Sequence, residues 1–348
     1  MQLAFVGDVM LGRLVSGELR RREPSSFWGD VGPLLCSCDA TIANLECVIS
    51  ASPQRWMRTP KTFRFVADPL AVTVLKAGNV QAVSLANNHI LDGEVAGLLE
   101  TLRLLDSAGI AHAGAGVDAD AARRPAIFSA GSQKIALFAC VDHEAPFAAG
   151  ANRPGTAYVD ISPAGDAGFP SRHDIEKTKQ QGATLTILSS HLGPNMVLTP
   201  SAAIRDYRRA AAARGIAIVH GHSAHLFQGV EQTDRSLILH DTGDILDDYA
   251  VDPDLHNDWS FLFIVSIDRT GRPKKLTLVP VILEFASVRL ATAHESEPLF
   301  ARMHRLSAAL ETQLRRSANQ TALELVLTDA TAWENRRNMK EEGDHDRA

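Results

Sequence analysis

A chain of 348 residues that is 45% hydrophobic and 22% charged has the apolar content for one large domain or two ordinary ones, and is not disordered by composition. Its formal charge of -6, with no basic run interleaved with aromatics, argues against nucleic-acid binding as its task. No stretch approaches the roughly 18 apolar residues of a membrane-spanning helix, and Cys36, Cys38, Cys47 and Cys140 form no spaced metal or redox pair.

The first apolar run, 3–6, starts almost at Met1, leaving no room for a secretory leader, so a soluble cytoplasmic protein with reduced thiols and no membrane anchor is expected. This run and those at 40–43 and 82–85 read as buried strands that each feed polar or glycine-bearing residues. Residues 69–76 make a short helix candidate with Asp68 as its N-cap. A longer helix is predicted over 94–108, where Val95, Leu98, Leu99, Leu102 and Leu105 recur at helical spacing before Gly109. Residues 126–129 and 134–141, joined by Gly131-Ser132, predict a hairpin, and 150–168, rich in Gly, Pro and Ala, a long surface loop over the site.

Helices at 171–181 and 201–214 are each followed by an apolar run, at 185–188 and 216–219. That rhythm implies a layered α/β core with a partly parallel sheet. Runs at 237–240, 261–268 and 276–283 follow, with Asp268-Arg-Thr-Gly271 as an antiparallel hairpin turn. Residues 297–316 predict an amphipathic helix, and 335–348 a polar tail. The expected division is a main domain over 1–290, a helical extension over 291–334 and the tail.

Polar groups collect where the strands end. In His220-Gly-His-Ser-Ala-His225, three imidazoles lie within six residues directly after a strand, and Gly221 allows a turn that can aim His222 and His225 at one centre. Asp8 follows the first strand between Gly7 and Gly12; it can bridge two divalent ions or cap a turn. Glu46 in Asn44-Leu-Glu46 can do the same, or pair with an arginine such as Arg13. Asn87-Asn88-His89, with Asp92, offers a hard carbonyl ligand at Asn88 and a proton carrier at His89. His191 is a ligand candidate by position. Asp241 and Asp244 can support the histidines from behind, Asp247 and Asp248 read as solvated, and Asp142-His143 reads as a substrate contact at most.

The ordered set Phe-Val-Gly-Asp8-Val-Met, Ala-Asn44-Leu-Glu46, Leu-Ala-Asn87-Asn88-His89-Ile-Leu-Asp92-Gly93, His191-Leu-Gly193 and Gly221-His222-Ser-Ala-His225-Leu-Phe-Gln228-Gly229-Val-Glu231 resembles the capsule synthesis CapA proteins, also called PgsA or poly-γ-glutamate capsule biosynthesis proteins. The resemblance runs from about residue 3 to about 283. It implies a fold like that of calcineurin-like metallophosphoesterases, a two-sheet β sandwich flanked by helices with a dinuclear metal site at the strand ends. It further implies Asp8, Glu46, Asn88, His191, His222 and His225 as ligands of two divalent ions (manganese, zinc or iron), with Asp8 and His89 catalytic. Asn87, Asp92, Glu231 and Asp244 would support the ligands or touch the substrate. The sequence departs from phosphoesterases at Met10, where they carry a histidine, and in the two residues between His222 and His225, where they have one. The best-known capsule members are membrane-anchored. Two functions follow: a hydrolase acting on a phosphoester or another small or polymeric, anionic substrate, or a non-catalytic accessory protein that binds an anionic polymer or a synthase partner.

Overall fold

Alternate residues of the strand Gln2–Val9 face two different cores: Leu3 and Phe5 pack in one, Ala4 and Val6 in the other. A strand buried on both faces needs a layer on each side. The computed structural model, which describes residues 1–162, 165, 168–234 and 236–327, provides them as two stacked sheets with helices outside each. Leu3, Phe5 and Ile42 meet Ile135, Leu137, Ile187 and Ile218 in the space between the sheets. Ala202–Arg214 and Arg172–Gln180 cover the second sheet through Tyr207, Ala211 and Ile175, while Ala71–Ala77 and Glu94–Ala108 cover the first through Leu75 and Leu98.

In the larger sheet the strands run in the order Arg315–Arg316, Leu323–Val326, Pro273–Glu284, Trp259–Ile267, Gln2–Val9, Ala40–Leu45, Val80–Ser84 and Ala111–Ala113. Asp244–Leu246 also pairs with Gln2–Val9, in parallel, taking over where Trp259–Ile267 leaves it after Phe5. The second sheet runs Val230–Gln232, Leu237–Leu239, Ile218–His222, Leu185–His191, Gln133–Val141 and Ala126–Ala130. Its four central strands are parallel, so their C-terminal ends share one edge. The hairpin at 126–141 and the antiparallel pair at 259–284 form as the turn residues predict.

Helix starts follow local chemistry. Ser171 and Asp174 form a capping box, Ser201 caps through the Ile204 amide, and Gly109 and Gly215 close their helices in the left-handed region. Asp68 does not cap a helix from 69: its carboxylate accepts the Leu70 amide in a turn, and the helix begins at Ala71. The last helix differs more. It spans Ala293–Ala308 rather than 297–316, because Thr292 and Glu295 form a capping box that starts it earlier. The chain then turns at Glu311 (φ 57°), and Arg315–Arg316 and Leu323–Val326 join the larger sheet. Leu299, Phe300 and Met303 enter the core between the sheets beside Phe261. Residues 293–327 therefore complete the sandwich instead of standing apart as a helical extension. The tail expected at 335–348 lies outside the described residues, as do 163, 164, 166 and 167 of the long loop. Within that loop, Gly155–Thr156 pairs with Ala115–Gly116.

Candidate metal centre

Strand register brings the polar residues together. Asp8 is opposite Asn44 on one side and opposite Asp244 on the other. In the second sheet His191 is opposite His222. The two rows meet at one rim of the sandwich. Asp244 reaches Asp8 because Gly7 has no side chain: a Cβ there would lie 1.7 Å from the Gly243 carbonyl oxygen, the atom that accepts the Asp8 amide.

Two sets of candidate donors share one residue. Asp8, His191 and His222 form one, and Asp8, His225 and Asp244 the other, with the ligand atoms of each set within 4.8 Å of one another. Asp8 Oδ2 is 3.4 Å from His225 Nδ1, which is 2.9 Å from Asp244 Oδ1. Asp8 Oδ1 is 3.8 Å from His222 Nδ1, and the two Nδ1 atoms of His191 and His222 are 2.8 Å apart. Glu46 lies beside the first set, 3.6 Å from His191 Nδ1 and 3.8 Å from His89 Nε2. Asn88 Oδ1 is 2.9 Å from His191 Nε2. Among the described residues, Asp8 Oδ2, Glu46 Oε1 and Asp244 Oδ2 are buried and accept no hydrogen bond. Buried carboxylate oxygens without donors need a cation, and imidazole with carboxylate suits zinc, iron or manganese. The residues fit such ions.

His89 is held for a different task. Asp92 Oδ2 lies 2.5 Å from its Nδ1 and also accepts the Phe65 amide, while Phe65 stacks on the ring at 3.7 Å between centroids. Asn87 accepts the His89 amide and donates to the Leu45 carbonyl and to Asn44 Oδ1. Lys61, itself buried, bonds to the Asn88 carbonyl and pairs with Asp92 at 3.0 Å.

The electrostatics are those of a crowded anionic basin. Burial, then the charges of Glu46 and Asp244, push the Asp8 carboxyl well above its usual range, and burial raises Glu46 to about 7. Burial alone would lower His225, but the charge and hydrogen bond of Asp244, then Asp8 and Glu46, lift it to about 10. Burial, followed by neighbouring imidazoles, keeps His191 and His222 well below the usual value, so both offer lone pairs at neutral pH. Without a metal, the His225 proton offsets part of the negative charge of the basin. A divalent ion must displace that proton and any on Asp8 or Glu46. Manganese or zinc uptake near pH 7 is therefore expected to release roughly one to two protons, and affinity to rise with pH. Calorimetric titrations in buffers of different ionisation enthalpy measure the number directly; a value of zero would contradict this account.

Several residues stand differently from their sequence-based reading. Asp244, expected behind the ligands, is itself one of the clustered donors. Glu231 touches none of them; it pairs with Arg209 at 2.6 Å and His240 at 2.9 Å, because its strand, Val230–Gln232, is the outer one of the second sheet. Asp247 is buried rather than solvated and carries a raised pKa from burial and Asp244, while Asp248, with a fully buried side chain, lies 3.5 Å from Arg13. Arg13 is thus not the partner of Glu46. His143 contacts the Gly193 carbonyl and Ser223 and meets the His191 ring edge-on.

The largest omission was Asn44. Its Nδ2 donates to Asp8 Oδ1 at 2.7 Å and Glu46 Oε2 at 2.5 Å, tying the two carboxylates together. Its place two residues before Glu46 on a strand, hence on the same face, was the available signal. Ser189 similarly precedes His191 by two and bonds to His222 Nε2 at 2.8 Å. The loop after His222 is strained, with Ser223 at φ 117° and His225 at φ 57°. Asp241 pins it by accepting the Ala224 and Gly243 amides.

Two stacked sheets with helices outside, and polar residues at the parallel strand ends, define a calcineurin-like metallophosphoesterase fold. A phosphatase from Mycoplasma pneumoniae superposes with a TM-score of 0.50 over 82% of this chain and 94% of its own, at 11% identity, a likeness of fold alone. The chain belongs to the bacterial capsule synthesis protein family PGA_cap, whose description its residues 2–249 match. It is 28% identical over 291 residues to the probable polyglutamine synthesis accessory proteins of Mycobacterium tuberculosis, covering 80% of this chain and 76% of theirs. The PGA biosynthesis protein CapA of Bacillus subtilis is 26% identical over 71% of this chain and 63% of its own length. Among the described residues no helix is long and apolar enough to cross a membrane.

Proposed function

We propose that this protein is a metal-dependent hydrolase that cleaves a phosphoester with water as the nucleophile and two divalent ions as cofactors. The observation that carries this reading is the pair of donor sets joined by Asp8. Asp8, Glu46, Asn88, His191 and His222 would hold one ion, and Asp8, His225 and Asp244 the other. Ions held by these residues would supply a water of lowered pKa and positive charge for the leaving oxygen. Asn44 keeps Asp8 and Glu46 at a fixed spacing. Asp92 holds the Nδ1 side of His89, leaving Nε2 to carry a proton to the leaving oxygen. Burial keeps this imidazole down at about 4, so near neutral pH it stands neutral and must first take up a proton at Nε2 before it can pass one on.

The test is metal content by elemental analysis together with hydrolysis of aryl phosphates, and then of γ-glutamyl amides. About two equivalents of metal with phosphoester turnover support the reading; purified protein that binds no added manganese or zinc removes it. His89→Ala is expected to lower kcat roughly 100-fold or more with metal content unchanged. An unaltered kcat would deny His89 its role.

One observation favours a second reading, an accessory protein that binds an anionic polymer or a synthase partner. Met10, at the position of the phosphoesterase histidine, is fully buried, and its sulfur accepts the Gly12 amide at 3.1 Å. One ion then has one ligand fewer. Metal binding without turnover of any ester or amide would select this reading.

A further inference from the structure

Tyr249 has a role that none of the sequence motifs includes. It follows the strand Asp244–Leu246, and its backbone amide donates to Asp247 Oδ1 at 2.9 Å, so the strand that brings Asp244 to the centre also presents this phenol. The ring is held on two sides. It meets His225 edge-on at 5.2 Å between centroids and tilts against Phe65 at 5.7 Å. Phe65 in turn stacks on His89. An aromatic arch, His89–Phe65–Tyr249, thus spans from the proton carrier to the His225 end of the metal centre.

The hydroxyl is out of place for a structural tyrosine. Its oxygen is buried and has no hydrogen-bond partner among the described residues. Leaving a buried hydroxyl unpaired is costly, and packing alone would be served as well by phenylalanine. Its charged surroundings are the carboxylates of Asp244, Glu46, Asp247 and Asp8. With ions at the centre Asp8, Glu46 and Asp244 are engaged, and the phenol, protonated at neutral pH, is left as a neutral donor beside them.

We infer, resting on the phosphoester reading above, that Tyr249 is a substrate-contacting residue whose hydroxyl donates a hydrogen bond to a phosphoryl oxygen at the metal centre. It is a binding and orienting contact, and no proton is transferred. Removing one neutral donor to a charged acceptor weakens such binding roughly ten- to hundred-fold.

The experiment compares wild-type protein with Tyr249→Phe, both loaded with manganese, by metal analysis, melting temperature and calorimetric titration with inorganic phosphate. Unchanged metal content and a melting temperature equal to or above that of the wild type, with phosphate bound at least about ten-fold more weakly by the variant, is the expected result. Equal phosphate affinity in the two proteins overturns the role of Tyr249 and leaves the hydrolase reading standing. Loss of manganese in the variant also overturns it, since the phenol would then serve the ligands and not the substrate. Failure of the manganese-loaded wild type to bind phosphate also overturns the role of Tyr249, whereas the hydrolase reading falls only if the same protein turns over no phosphoester.

Discussion

Asp8→Asn is expected to abolish tight binding of both ions, lowering affinity by roughly 100-fold or more, the upper end of what losing even a supporting residue costs. Asp8 is the residue common to the two donor sets, so one substitution removes a charged ligand from each. The same change should stabilise the protein when no metal is present. Asp8 is buried among Glu46 and Asp244 and its carboxyl is pushed up by burial and by their charges. A raised acid is destabilising when ionised: its unfavourable contribution appears as pH climbs above the unfolded value and is absent in an uncharged isostere. Asn44 can still donate to the side-chain oxygen of an asparagine at this position. Metal-free Asp8→Asn should therefore melt above metal-free wild type near pH 7, while the stabilisation that manganese confers on the wild type disappears. Thermal melts with and without manganese test both halves. A variant that still gains as much from manganese as the wild type would refute Asp8 as the shared ligand.

Gly7→Ala should be nearly as damaging, by another route. The added Cβ would lie 1.7 Å from the Gly243 carbonyl oxygen and 2.6 Å from its carbon, both backbone atoms with no flexible end to give way. The Thr242–Gly243 segment must retreat, breaking the Asp8 amide to Gly243 carbonyl bond of 2.9 Å and carrying Asp244 away from Asp8. Overpacking of this kind costs about 3 kcal/mol or more. The expected result is a melting temperature several degrees lower and loss of the ion bound by His225 and Asp244. The other, on the His191 and His222 side, should be retained more nearly intact. Metal stoichiometry falling from about two toward one reads this out; an unchanged stoichiometry would mean that the close approach at Gly7 does not position the second ion.

The two variants separate what was legible in the chain from what was not. Asp8, Glu46, Asn88, His191, His222 and His225 were recognisable because each stands at the end of an apolar run. Parallel strands with a period-2 core pattern must end together, and the structure brings these residues to one rim. The helix Glu94–Ala108 and the hairpin at 126–141 were equally legible, since spacing, caps and turn residues are local signals. The last helix was misplaced because apolar spacing continues past Ala308 while the chain has already turned to add strands to the larger sheet. Only pairing across the sheet decides that.

By itself, the sequence determined the layered α/β class, the family motif order and most of the charged and imidazole groups at the centre. Those depend on periodicity and on short segments, which the chain carries wherever it folds. The tertiary structure alone decided which carboxylate joins which imidazole. Asp244 became a donor through a parallel pairing across 236 positions of chain that Gly7 permits, Asn44 became the tie between Asp8 and Glu46, and Tyr249 was set over the site by the turn after Asp247. Interactions of this kind are fixed by register and burial between distant segments; a local pattern, such as the two-residue spacing of Asn44 and Glu46, can place two side chains on one face but does not name their distant partner.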